Sequence, residues 1–309
     1  MKKYYNKDNQ VIYNMDNLEL LKELKSNSID LIYCDILYNT GKVFDDYNDN
    51  LGNSKEATEW YRPRLTEMKR VLKDNGSIFL HCNWRMDSYI RVLMDELFGE
   101  KNFRNRIYRK HSEERGFFKN FDSQIDIILY YTKSVDNFTF NELIDDIERI
   151  TPLYENGYIK GRSIVLNIDN KEIDLKELNK HLLISENRLN YLISKNEVVL
   201  IDNLPYRKTY SKPIGNLWNE EEMLDNYSRN KVSDTYDTPK PEAVLDRIIR
   251  MCSNENDTVA DFFLGGGTTA VVAKKLNRKG IYCDISKKAC DTTISKLEKL
   301  DVNNISNII

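Results

Sequence analysis

The sequence contains no run of about 18 apolar residues, so nothing in it reads as a membrane span. Its start, MKKYYNKDNQ, lacks the apolar stretch of a secretory signal. Both absences point to a cytoplasmic protein. An excess of positive charge is missing too: 46 Lys and Arg stand against 49 Asp and Glu, for a formal net charge of −3. Overall charge therefore does not mark a nucleic-acid binder, and any such surface has to be local. Cysteine is sparse. Cys34, Cys82, Cys252, Cys283 and Cys290 are scattered through mostly apolar runs without metal-ligand spacing, which predicts buried reduced thiols and no metal site. There is no internal repeat or low-complexity linker, apart from an Asn-rich tail at Asn303 to Asn307. The 309 residues, 40% of them hydrophobic, suffice for one large α/β core plus a smaller appended region.

Strands and helices alternate along the first part of the chain. Gln10 to Tyr13 reads as a strand, and Asn17 to Lys25 as a helix with Leu18, Leu21 and Leu24 on one face. The apolar run Leu31-Ile32-Tyr33-Cys34 is long enough for a buried parallel strand. After a polar loop to Ser54, a helix is predicted to Lys73, with Trp60, Leu65, Met68 and Leu72 inward. Asp74-Asn75-Gly76 reads as a turn, Ser77 to Cys82 as a strand, Met86 to Phe98 as a helix and Ile125 to Thr132 as a strand. The rhythm changes between Phe140 and Asp237. There Asp174 to His181 and Glu186 to Ser194 look helical, Ser185 is a candidate N-cap, and Val198 to Ile201 looks like a short strand. The alternation resumes with helix Pro241 to Cys252, strand Thr258 to Phe263, a glycine loop, helix Thr268 to Leu276, strand Gly280 to Asp284 and helix Lys287 to Leu300. The pattern predicts a parallel sheet covered on both faces, with a lobe inserted between its two halves.

Val259-Ala260-Asp261-Phe262-Phe263-Leu264-Gly265-Gly266-Gly267-Thr268-Thr269 reads as strand, tight turn and helix start. Glycines let the backbone turn sharply and let a ligand approach closely, at the strand end where α/β folds place their ligands. Asp284 closes the next strand, Ile281-Tyr282-Cys283, where an acid can accept hydrogen bonds from two ribose hydroxyls. The loop is not GxGxxG and lacks the P-loop Lys, so neither a pyrophosphate nor a triphosphate is its natural ligand.

At the end of the buried strand stands Asp35-Ile36-Leu37-Tyr38, continued by Asn39-Thr40-Gly41. This segment resembles the Asp-Pro-Pro-Tyr or Asp-Pro-Pro-Phe of DNA amino-methyltransferases, often continued by Asn-Thr-Gly. The chemistry accounts for the residue types. An aromatic amine is a poor nucleophile because its lone pair is delocalised into the ring. A carboxylate and a backbone carbonyl accepting its two N–H bonds favour a more tetrahedral nitrogen aimed at a sulfonium methyl. An aromatic side chain stacks on a base rotated out of the duplex. The resemblance implies Asp35 as one acceptor, the carbonyl of Ile36 as the other, and Tyr38 as the stacking platform, with Leu37 completing the catalytic segment. Both prolines are missing. Ile36 and Leu37 keep the carbonyls but give up proline's fixed φ, which leaves open a member that recognises DNA beside an active partner. If the loop has the family's shape, restoring proline at 36 and 37 is expected to preserve or raise activity.

Other segments extend the resemblance. Val11-Ile12-Tyr13-Asn14-Met15-Asp16 resembles the strand and acid that precede the catalytic strand, with Asp16 at the adenine end of the cofactor. Leu80-His81-Cys82-Asn83-Trp84-Arg85 and Phe98-Gly99-Glu100-Lys101-Asn102-Phe103-Arg104-Asn105 are similar to the middle of β-class enzymes and type III modification subunits. Thr238-Pro239-Lys240-Pro241-Glu242 resembles their Thr-Gln-Lys-Pro segment, whose Lys240 would pair with the cofactor's carboxylate. The glycine loop resembles Asp-Pro-Phe-Cys-Gly-Ser-Gly-Thr-Thr. Catalytic segment first, variable lobe next and cofactor loop last is the circularly permuted order of the β class. The resemblance implies a Rossmann-like seven-stranded methyltransferase sheet. Its catalytic half would span 1–139, a target-recognition lobe 140–237 and its cofactor-binding half 238–309. S-adenosylmethionine is the implied cofactor, held by Asp16, Asp35, Thr238, Lys240, Asp261, Phe263, Gly265, Gly267, Thr268 and Asp284. The implied activity is N6-adenine methylation of duplex DNA. N4-cytosine methylation stays open, although N4 enzymes more often begin the catalytic segment with Ser. No cysteine follows proline, which argues against carbon-5 cytosine chemistry. A homodimer and a restriction subunit are the partners the family leaves open.

DNA contacts are expected between Lys101 and Asn120, where seven Lys or Arg face two acids and Tyr108, Phe117 and Phe118 are interleaved. Arg109, Lys110 and Arg115 are the candidates there, and Arg207 in Tyr206-Arg207-Lys208-Thr209-Tyr210 is another. His81 reads as a structural histidine, because the methylated amine loses its proton readily without a strong base.

Overall fold

The computed structural model describes residues 2–44, 47–110, 124–143, 149–152, 154–156, 165–168, 171–174, 180–182, 186–195, 198–201, 204–209, 214–219 and 240–306. They divide into two compact units, Met1–Glu142 with Gly215–Ile309, and Leu143–Ile214.

In the larger unit a hairpin comes first, β1 (Tyr5–Lys7) and β2 (Gln10–Asn14). Its turn residues Asp8 and Asn9 both have positive φ, as a type I′ turn requires. Helix α1 (Asn17–Glu23) starts at Asp16, whose carboxylate accepts from the Leu18 amide. β3 (Ile29–Asp35) is buried along nearly its whole length, which explains its unbroken apolar run. Helix α2 (Ser54–Val71) opens with a capping box between Asn53 and Glu56. β4 (Leu72–Cys82) absorbs the expected Asp74-Asn75-Gly76 turn, since Leu72 already pairs with Ile29. Helix α3 (Asp87–Phe98), β5 (Phe103–Lys110) and β6 (Ile125–Thr132) follow.

The smaller unit holds β7 (Arg149–Pro152), β8 (Tyr154–Asn156), β9 (Val165–Ile168), β10 (Lys171–Asp174), β11 (Lys180–Leu182), α4 (Glu186–Ser194), β12 (Val198–Ile201) and β13 (Leu204–Thr209). The helix expected from Asp174 to His181 is not formed at either end: Asp174 pairs with Val165 and His181 with Glu155, so strand pairing overrides the local preference. Residues 175–179 lie outside the described residues. The lobe expected over 140–237 contains this unit, and residues 220–239 lie outside the described residues. Asn141 bonds the carbonyls of Arg250, Met251 and Ser253 in the larger unit, and β14 (Leu217–Asn219) pairs in parallel with β5.

Helix α5 (Glu242–Cys252), β15 (Thr258–Asp261), helix α6 (Thr268–Lys275), β16 (Lys279–Asp284) and helix α7 (Lys287–Ser306) complete the larger unit. Its sheet runs β1-β2-β16-β15-β3-β4-β6-β5-β14. Seven strands from β2 to β5 make the methyltransferase-like sheet, and a three-residue strand extends each edge. The strands β2, β16, β15, β3 and β4 pair in parallel, whereas β6 is antiparallel to both neighbours. Helices α1, α2 and α3 contribute Leu20, Leu21, Leu65, Met68, Ile90 and Met94 to the core over Ile32, Cys34, Ile78 and Leu80. All five cysteines are buried free thiols. No helix among the described residues is long and apolar enough to cross a membrane.

Candidate active site

Parallel pairing decides where the chemistry gathers. Asp35, Asp261 and Asp284 are the last residues of β3, β15 and β16, so three carboxylates leave the sheet at one edge. Because β6 runs the other way, its beginning, with Asp126, arrives at the same edge. An open cleft of about 1300 Å³ lies there. It is lined by all of Asp35 to Tyr38, by Asp16 and Lys240, and by Asp261, Phe263, Gly265, Gly267, Thr268 and Asp284. Of the residues expected to hold the cofactor, only Thr238 falls outside the described residues.

The glycine turn is built to one shape. Gly265 and Gly267 have φ of 50° and 77°. A Cβ on Gly267 would stand 2.2 Å from Thr293 Oγ1, so a larger residue is excluded by both backbone and space. Asp284 ties the turn to β16: one oxygen accepts from the Gly265 amide and the other from the Ser286 amide, each at 2.8 Å. Each oxygen keeps lone-pair capacity for a ribose hydroxyl. Asp261 is buried and accepts from the Phe263 amide at 3.0 Å and the Thr269 hydroxyl at 2.6 Å. Burial pushes its carboxyl up to about 7 despite those bonds. Asp261 thus shapes the turn from beneath. Asp16 lines the cleft with its carboxylate shared between the Leu18 amide and Arg64, both at 2.8 Å, and Arg64 lies 3.5 Å over the Trp60 ring.

Asp35 opens the Asp35–Tyr38 segment and is bonded through both of its oxygens. Its Oδ2 meets Lys240 Nζ at 2.8 Å, and its Oδ1 accepts from the Tyr38 hydroxyl at 2.8 Å. The Lys240 ammonium also stands 5.3 Å over the Tyr38 ring. The missing prolines have a physical substitute. The Ile36 amide donates to the His81 carbonyl at 3.1 Å, a bond that proline could not make. The Leu37 carbonyl accepts from the Tyr61 hydroxyl at 2.9 Å. Asp49 fastens the continuation, accepting from the amides of Asn39 and Thr40. Asn39 and Gly41 take positive φ there.

The expected DNA contacts divide. Lys110 is exposed at the end of β5. Arg109 corrects the expectation: it is 6% exposed and bonds Asp126 at 2.8 Å, because its register on β5 faces it across to β6 rather than to solvent. Arg115 lies outside the described residues. Arg207 falls on β13 in the smaller unit, in register between Val198 and Thr151. Sequence reasoning missed Asp126, Arg64 and Asp49. Asp126 carried a signal, an acid within the apolar run Ile125 to Tyr131 of a strand that has to be covered on both faces.

Comparison with known proteins agrees with this geometry. The family model described as DNA methylase, of the N6/N4 type, matches residues 29–296. The chain is 29% identical to the type II methyltransferase M.HpaI of Haemophilus parainfluenzae over 91% of its own length and 72% of that protein's. It is 27% identical to the StyLTI Mod subunit of a type III restriction-modification enzyme from Salmonella typhimurium, over 95% of this chain but only 54% of that subunit. The solved PvuII DNA methyltransferase, cytosine-N4-specific, shares the fold at a TM-score of 0.59 with 15% identity, covering 96% of this chain and 88% of that one. With the family model matching residues 29–296, well over half of the chain, the chain belongs to the N6/N4 DNA methylase family.

Proposed function

We propose that this protein methylates the N6 amino group of an adenine rotated out of duplex DNA. The observation that carries the reading is the common cleft of Asp35 and the Gly265–Gly267 turn, in which a proton-accepting carboxylate and a nucleoside-binding turn open on the same space. S-adenosylmethionine is the methyl donor of this family, and the donor set suits it. Asp284 is an acid for ribose hydroxyls, Lys240 a cation for a carboxylate, and the positive-φ glycines admit the ligand close to backbone. When bound, the cofactor supplies an electrophilic methyl group.

The chain's own residues supply the rest. Asp35 and the Ile36 carbonyl accept the two N–H bonds of the amine, turning its lone pair out of the ring plane. Tyr38 offers a ring face beside that carboxylate and, through its hydroxyl, holds Asp35 in place. Lys240 balances the charge of Asp35. Mass analysis of nucleosides from DNA incubated with the protein and S-adenosylmethionine tests the reading. N6-methyladenine supports it, N4-methylcytosine reassigns the base within the same chemistry, and unmodified DNA overturns it.

A further inference from the structure

Tyr38 and Trp84 leave the sheet from neighbouring strand ends. Asp35 on β3 pairs in register with His81 on β4, and each aromatic follows its member of that pair by three residues. Both line the cleft, but their exposure differs. Tyr38 is part-buried beside Asp35, whereas Trp84 is 58% exposed, the most exposed aromatic ring among the described residues of the larger unit. A lone exposed ring needs no explanation, but this one stands on a fixed turn. Asn83 is buried, and its side-chain oxygen accepts from the Arg85 amide at 3.0 Å. Its carbonyl accepts from the Met86 and Asp87 amides at 3.2 and 3.0 Å. Buried Asn83 and Met86 thus bracket the two residues that the turn leaves outside, Trp84 and Arg85.

The pair has the chemistry of a nucleic-acid contact. The Arg85 guanidinium lies 4.4 Å over the Trp84 ring, and no carboxylate among the described residues pairs with it. A guanidinium stacked in this way keeps its N–H edge for an oxygen acceptor. The cleft needs such a cation at its rim, because Asp16, Asp35, Asp126 and Asp284 line it and repel phosphate. Arg109, the basic residue expected to serve DNA, is engaged by Asp126 instead. An exposed indole, for its part, offers a π face of the kind on which any base stacks.

We propose that Trp84 and Arg85 form the duplex-facing contact at the mouth of the cleft: Trp84 stacks on the base left behind when the adenine leaves the helix, and Arg85 binds an adjoining phosphate. This rests on the reading of the cleft as the site of an extruded base. Extrusion removes a stacking partner from the bases that remain, and a ring held at the rim replaces it. Tyr38 takes the extruded base and Trp84 the duplex it came from. The fixed turn favours this, since a side chain already held in place loses little freedom on binding.

The chain has three tryptophans, and subtracting the emission of W84F from that of wild type isolates the exposed one. Duplex DNA should quench that emission as a base stacks on the indole. W84A should raise the DNA Kd about tenfold with the cofactor titration unchanged, and W84F, which keeps a ring face, should recover most of that loss. R85A should lower the slope of log Kd against log salt by about one, as expected for one lost phosphate contact. An emission that DNA leaves unchanged, a W84A with wild-type DNA affinity, or an R85A with an unaltered salt slope overturns the proposal. So does a W84A that binds DNA normally but loses self-association in light scattering, which makes the ring a protein contact. Both side chains lie outside the core, so loss of the fold does not shelter the proposal. Wild-type protein that is quenched at Trp84 yet transfers no methyl group refutes the reading of Asp35 and leaves a DNA-recognition surface.

Discussion

Asp261 supplies the sharpest quantitative test of the cofactor turn. Its carboxyl is buried at the end of β15, and burial lifts its pKa from 3.8 to about 7. Between those values the folded protein holds a proton that the unfolded chain has released, so stability falls as pH rises and levels off above about 7. At about 1.4 kcal/mol per pH unit, the loss from pH 5 to pH 8 is about 3 kcal/mol. Asp261→Asn keeps an oxygen for the Phe263 amide and cannot ionise. Urea unfolding of both proteins at pH 5, 6, 7 and 8 isolates the effect, because every other titrating group is common to the two. The stability of the variant relative to wild type should climb by about 3 kcal/mol across the series. A difference that stays constant with pH would show that Asp261 is ionised throughout, and that the turn is not held over a neutral acid.

Ile36→Pro should destabilise the protein by about 1–2 kcal/mol, since losing the bond to the His81 carbonyl outweighs the entropic gain from proline; equal or greater stability in urea would contradict that. Gly267→Ala meets both a positive φ and Thr293, so it should cost at least about 1–3 kcal/mol and weaken the cofactor. A stable variant with wild-type affinity would show that the turn tolerates another shape. Asp284→Ala leaves the Gly265 and Ser286 amides without their acceptor and should raise the cofactor Kd at least tenfold in calorimetry. An unchanged titration would remove Asp284 from the binding site.

Much of this site was legible because it depends on strand ends. Asp35 and Asp284 each close an apolar run, and a parallel sheet delivers such residues to one edge whatever the loops do. A parallel sheet interrupted by a lobe followed from the same alternation, and its count of seven strands from the resemblance; β5 was not read as a strand, and the three-residue strands β1 and β14 carry too little pattern to announce themselves. Arg109 was misread because a basic run looks solvated until its partner is known. Asp126, a strand away in register, turns it inward. The strands at Asp174 and His181 were hidden for a related reason, since their state is decided by pairing with β9 and β8. Proline's absence at 36 suggested only lost rigidity; the amide bond that replaces it depends on β4 lying alongside, which local sequence does not encode.

Asp35 is the centre of the account, and Asp35→Ala tests it most directly. With duplex DNA and labelled S-adenosylmethionine, wild-type protein should form N6-methyladenine, while the variant should bind the cofactor with near-normal affinity and transfer at least 100-fold more slowly, consistent with the loss of a transition-state hydrogen-bond acceptor. Equal transfer rates for the two proteins would contradict the role assigned to this carboxylate.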